Sequence, residues 1–283
     1  MIRILTDSAS DILPAEAEQL GVTVIPLNVT LEDGTVLRDG VDMTPTVYYG
    51  VMARCHKLPT TSQPSPELFQ RFFLEAAAAG DEVVGIFLSH ELSGTCQCAR
   101  LAADMANVDN VLFVDSENVC LGESLLVRLA VQLRDAGKTA GQIAATLEHA
   151  KEHLHLVAVI DDLKYLRKGG RISGASALVG SLLQIKPILQ GDPEGKIVVL
   201  SKERGRKKAM DTLIQLYEEL VEDKSAPVGI SHAAAPAEAL HLATALRQAG
   251  CTGEILSVCH EPVTGAHVGP GMLALYFYSQ TWR

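Results

Sequence analysis

Hydroxyls, cations and three histidines, gathered into six short stretches, are the residues of this 283-residue chain whose types and spacing could do chemistry. Thr6-Asp7-Ser8-Ala9-Ser10-Asp11 follows a first apolar run, and a polar loop at the carboxyl end of a parallel strand is where α/β folds place ligands. Asp11 or Ser10 reads more simply as a cap for the helix starting near Pro14, which leaves Asp7 and Ser8 open. Pro59-Thr60-Thr61-Ser62-Gln63-Pro64-Ser65-Pro66 holds hydroxyls in a proline-stiffened loop. Ser65 fits the helix cap ahead of Pro66, which does not account for Thr60, Thr61 and Ser62. Ser89-His90-Glu91-Leu92-Ser93-Gly94-Thr95 runs from a strand into a helix. Unpaired N–H groups and the positive end of the helix dipole make such a start a seat for a phosphate or a carboxylate.

Two further stretches are basic and glycine-rich, Tyr165-Leu166-Arg167-Lys168-Gly169-Gly170-Arg171-Ile172-Ser173-Gly174 and Lys202-Glu203-Arg204-Gly205-Arg206-Lys207-Lys208. Neither has the spacing of a P-loop, so nucleotide hydrolysis by the chain itself has no support, whereas arginine forks suit an acidic or phosphate-bearing partner. The last stretch, His260 to Gly271, reads as a turn-rich loop in which His260 is an idle surface residue and His267, among small residues, is accessible. Ser93 with His90 and Glu91 invites a hydrolase reading, but a nucleophile elbow wants glycine two residues to either side, where Glu91 and Thr95 stand.

The elements that must position these groups alternate in an α/β rhythm. Apolar runs at Ile2 to Leu5, Val22 to Val29, Val83 to Leu88 and Val111 to Val114 predict strands. Helices are predicted near Pro14 to Leu20, Pro45 to Ala53, Pro66 to Ala79, Gly94 to Met105, Leu121 to Ala136 and Thr139 to His153, three of them opened by a proline. A strand at Leu154 to Ile160 begins a different pattern. It comprises a hairpin of Lys186 to Leu189 with Lys196 to Leu200, helices from Arg206 and Pro236, and strands at Val228, Glu254 and Leu273. Two domains are expected, residues 1–153 and 154–283, the first with a parallel sheet between helical layers and the second a smaller α/β unit.

Composition narrows the function classes. An apolar fraction of 47% without an 18-residue uncharged apolar run is that of a soluble protein, and the N-terminus reads as a strand rather than a signal peptide. A cytoplasmic location is expected, with the six cysteines as free thiols and no metal site, since no C-x-x-C pair occurs. The net charge of −10 is uneven: residues 164–208 carry 11 Lys and Arg against 3 Asp and Glu, a basic face on an acidic protein. Without interleaved aromatics, and against a repulsive overall field, nucleic acid is not expected as a partner.

In order along the chain, T-D-S-A-S-D, L-P-T-T-S-Q-P-S-P, L-S-G-T, Y-L-R-K-G-G-R-I-S-G and H-V-G-P-G resemble the DegV family of fatty-acid-binding proteins over nearly the whole length. The resemblance implies a DegV-like fold holding one long-chain fatty acid, with no cofactor and no catalysis of its own. The acid's carboxylate would be presented to a separate ATP-dependent fatty acid kinase for acyl phosphate formation in phospholipid metabolism, with at most transient contact with a membrane surface. By position, Thr61 and Ser93 would bond the carboxylate beside Ser62, Gly94 and Thr95, while Arg171, Arg204 and His267 would meet the kinase. His90, Cys96 and Cys98 depart from the family pattern and raise the expectation of an altered pocket. Two readings compete with this one: a phosphate-ester or acyl transferase or hydrolase using Ser93 or His267, and a scaffold that docks a macromolecule on its basic face.

Overall fold

The structure is a computed structural model that describes residues 1–172 and 184–281. Strands β1 (Ile2–Asp7), β2 (Val22–Ile25), β6 (Glu82–Phe87) and β7 (Val111–Asp115) form a fully parallel sheet in the order β2-β1-β6-β7. Their period-two alternation sorts the two faces. Leu5, Val83 and Phe87 pack against Phe69 and Phe73 of α3 (Pro66–Ala78) and Ala99 of α4 (Thr95–Ala106). Ile4, Val84 and Ile86 pack on the opposite face with Leu125 of α5 (Leu121–Asp135) and Ile143 of α6 (Ala140–Lys151).

The second sheet is mixed, in the order β10-β9-β8-β13-β11-β12. It is built from β8 (Leu154–Val159), the hairpin β9 (Ile185–Gly191) and β10 (Ile197–Arg204), β11 (Val228–His232), β12 (Ile255–Cys259) and β13 (Leu273–Tyr278). Val157, Val159, Leu273 and Leu275 face α8 (Arg206–Leu220) and α9 (Pro236–Gln248). Leu156, Ala158 and Tyr276 face the other way, into the core that also holds α5. Helix α5 thus lies between the sheets, contacting β1, β6, β8, β11 and β13, and residues 121–127 are buried without a break.

A small antiparallel sheet of β3 (Asn28–Thr30), β4 (Val36–Arg38) and β5 (Thr60–Ser62) departs from the sequence reading. The apolar run from Val22 to Val29 is broken at Pro26, which lacks the N–H a continuous ladder needs, and its two halves serve different sheets. Three helices complete the described fold, α1 (Pro14–Leu20), α2 (Pro45–Met52) and α7 (Lys164–Gly169), together with α10 (Pro262–Val268), which replaces the expected turn-rich loop. The Ser173-Gly174 end of the first basic stretch lies outside the described residues.

Candidate lipid site between the sheets

The polar loop after β1 is architecture rather than an open ligand seat. Asp7 accepts from the Ala9 and Leu88 backbone N–H groups, and Ser8 donates to Asp39 while accepting from Leu27 N–H. Asp11 does not cap the helix that starts at Pro14. Its carboxylate reaches 249 residues along the chain to His260 Nδ1 at 2.7 Å and accepts from the Glu261 backbone N–H at 3.2 Å. Leu13 stands at the start of α1 without a side-chain cap, and Ser10 bonds back to the Asp7 carbonyl. His260 is therefore 0% exposed instead of an idle surface residue, because its charge-capable ring has a buried carboxylate partner.

Between the sheets lies an apolar cavity of about 850 Å³, counted to its open mouth. The N-terminal elements contribute Ala9, Leu27, Val119 and Cys120, and the second sheet adds Leu156, Ala158, Leu189 and Tyr276. Its polar lining comprises Thr61, Ser62, Gln63, Ser93, Arg171, Thr264 and His267. Gly94 and Thr95 do not line it. Thr95 is buried behind Ser93, its hydroxyl 2.8 Å from the Ser93 hydroxyl, and Gly94 packs against Gln63 so closely that a Cβ would fall 2.4 Å from Oε1.

Each of the polar residues Thr61, Ser93, Arg171 and His267 has an identifiable support. Thr61 is fixed by β5, whose register sets it opposite Val29 of β3. Ser93 precedes α4, where the first N–H groups of the helix have no intrahelical acceptor. Arg171 follows the left-handed turn at Gly170 and bridges the two halves of the molecule, donating from Nε to the Leu92 carbonyl at 3.1 Å and from Nη1 to the Gly169 carbonyl. His267 sits in α10, which packs on α7 and β5, and its Nε2 lies 2.7 Å from Thr61 Oγ1. Burial, and then the Arg171 charge, push the His267 pKa down to about 4, so the ring is neutral near pH 7. It orients hydroxyls, and Arg171 supplies the positive charge. Gly169 allows this approach, since a Cβ there would meet His267 Nδ1 at 2.3 Å.

A second cavity of about 510 Å³ shares Thr61, Arg171 and His267 with the first and opens past Pro59, Tyr165 and the exposed Lys168. Arg204 is exposed at the end of β10 and lines neither cavity. The departures from the family pattern do not reach the pocket. His90 turns to Asp115 at 2.6 Å, and Cys96 and Cys98 pack between α4 and α3. Among the described residues Ser93 makes no hydrogen bond to a histidine, so no nucleophile and base are paired there. All six cysteines are free, and no described helix is long and apolar enough to cross a membrane.

Compared with known proteins, residues 1–280 match the family model described as "Uncharacterised protein, DegV family". The chain belongs to the DegV family. It is 36% identical over 280 residues to a DegV domain-containing protein of Halalkalibacterium halodurans, covering 98% of each. Among solved structures it resembles a Thermus thermophilus DegV family protein described by its fatty acid binding, with a TM-score of 0.91, 33% identity and coverage of 98% and 99% of the two chains. It also resembles Bacillus subtilis DegV, described as a fatty acid binding protein, with a TM-score of 0.86, 31% identity and 99% of each chain covered. The DegV fold is thus established for this chain: a parallel-sheet core with a second, mixed-sheet α/β unit.

Proposed function

We propose that this DegV-family chain binds one long-chain fatty acid in the cavity between its sheets and presents the carboxylate to a separate ATP-dependent kinase, which forms the acyl phosphate. The observation that carries the reading is a largely apolar cavity that takes Thr61, Ser62, Ser93, Arg171 and His267 into its wall. Burying about fourteen methylenes at ~0.8 kcal/mol each gives ~11 kcal/mol before ordering costs, whereas a neutral hydrogen bond adds ~1 kcal/mol. The tail supplies affinity and the hydroxyls supply orientation.

In this reading residues 1–153 contribute the Thr61 strand and the Ser93 loop, and residues 154–283 cover the acyl chain and carry the docking cations. The second cavity favours access to the carboxylate from outside, because it shares Thr61, Arg171 and His267 with the first. Five of the eleven cations between residues 164 and 208 already pair with carboxylates: Lys164, Lys186, Lys196, Arg206 and Lys208. Lys168, on the second cavity, and the exposed Arg204 pair with no carboxylate among the described residues, which leaves both for a partner. The location would be cytoplasmic, where such a kinase finds ATP.

Reconstitution with a bacterial fatty acid kinase, ATP and palmitate, trapping acyl phosphate with hydroxylamine, tests the reading. Product that requires both proteins supports it. Product from this chain alone would make it an enzyme, and a loaded chain that no such kinase can use would remove the presenting role.

A further inference from the structure

Beside the cavity lies a cluster of soft and imidazole donors that the proposed carboxylate contacts leave unused. A carboxylate oxygen of Asp11, Cys120 Sγ and a ring nitrogen of His260 all lie within 4.8 Å of one another, and all three residues are buried. His260 Nδ1 is engaged by Asp11 Oδ2 at 2.7 Å, and its Nε2 is 3.3 Å from Met272 Sδ. Cys120 and Met272 both line the cavity, so a small ion entering with solvent can reach them.

The backbone conformation at Cys120 positions the thiol. Its φ of 59° and ψ of −132° fall in a region that a residue with a Cβ rarely adopts. The conformation is secured by the Cys120 N–H bond to the Ala9 carbonyl at 2.8 Å, and it brings the thiol just ahead of α5 into the same cluster as a histidine from the far end of the chain.

We propose that Cys120, His260 and Met272 form a binding site for monovalent copper, with Asp11 fixing the imidazole from behind. Thiolate, thioether and imidazole donors together select Cu(I) over hard cations, and a carboxylate on the second ring nitrogen is the usual support of a metal-bound histidine. Charge balance favours a monovalent ion. Cu(I) displaces the thiol proton to form a Cu–S bond, the proton leaves to solvent, and no oxidation state changes. The buried site gains no net charge, whereas a divalent ion in the same exchange would add one unit.

The test is an anaerobic titration of the delipidated full-length protein against the chromogenic complex of Cu(I) with bicinchoninate. One equivalent of copper should pass to the protein, with affinity lowered more than about tenfold in Cys120→Ser and in Met272→Leu and unchanged in Cys96→Ser. Met272→Leu keeps side-chain volume and so serves even if Cys120→Ser folds poorly. Failure to withdraw copper, or withdrawal that is the same in Met272→Leu as in the parent, overturns the site.

Discussion

Replacing Ala158 with phenylalanine should shorten the cavity and convert a chain-length preference into a measurable number. Ala158 lies on β8 between Leu189 and Ala274, is buried, and lines the cavity wall. Six added ring carbons would occupy the space of about four tail methylenes, and at ~0.8 kcal/mol each the lost burial is ~3 kcal/mol, or roughly a 100-fold weaker palmitate Kd. An acid about four carbons shorter should bind the variant as it binds the parent. Competitive displacement of a fluorescent fatty acid by a series of chain lengths reads both values, with thermal melts confirming that overpacking has not unfolded the protein. If Ala158→Phe weakened short and long acids equally, or left palmitate unaffected, the space beside β8 would not be the tail's seat.

Other perturbations probe the head group, the rim and the buried carboxylates. Thr61→Val removes the hydroxyl 2.7 Å from His267 Nε2 and should weaken fatty acid binding by ~1 kcal/mol, about fivefold, by the same displacement assay. Gly169→Ala should weaken it too, by forcing a Cβ into His267 and the ring away from Thr61, and Ser93→Ala should lower acyl phosphate yield without lowering the melting temperature. Arg204→Glu should leave lipid affinity unchanged while raising the kinase's apparent KM, because Arg204 lines neither cavity. Glu261 is buried beside Asp11, its Oε2 has no partner, and burial followed by the Asp11 charge raises its pKa to about 7. A carboxyl raised in this way keeps its proton in the folded chain while the unfolded chain releases it. Its contribution to stability is therefore intact below the unfolded value of 4.5 and is lost as pH rises toward 7. Glu261→Gln should accordingly raise the melting temperature at pH 8 and leave it nearly unchanged at pH 5.

Legibility in the sequence followed how local each determinant is. Pro14, Pro45 and Pro66 begin helices because the first helical position needs no N–H, and Ile4 and Leu5 report opposite faces of one strand by alternation alone. The same proline signal stood at Pro262, but Thr264, Gly265 and His267 lower helix propensity and hid α10, whose stability comes from packing on α2, α7 and β5. Thr60 to Ser62 read as a loop because its pairing partner β3 is thirty residues away. The burial of His260 and the role of Asp11 could not be seen at all, since each is explained by a residue at the other end of the chain. Of the polar residues on the cavity wall, Thr61, Ser62 and Ser93 stand in hydroxyl-rich stretches that the sequence displays, whereas the His267–Thr61 bond and the anchoring of Arg171 by the Leu92 carbonyl needed the fold.

The most direct test of the central claim is native mass spectrometry of the purified protein, followed by organic extraction and identification of what is released. One bound fatty acid per chain, lost on extraction and regained with added palmitate or oleate, is the expected result. A bare chain that takes up neither acid would contradict the account.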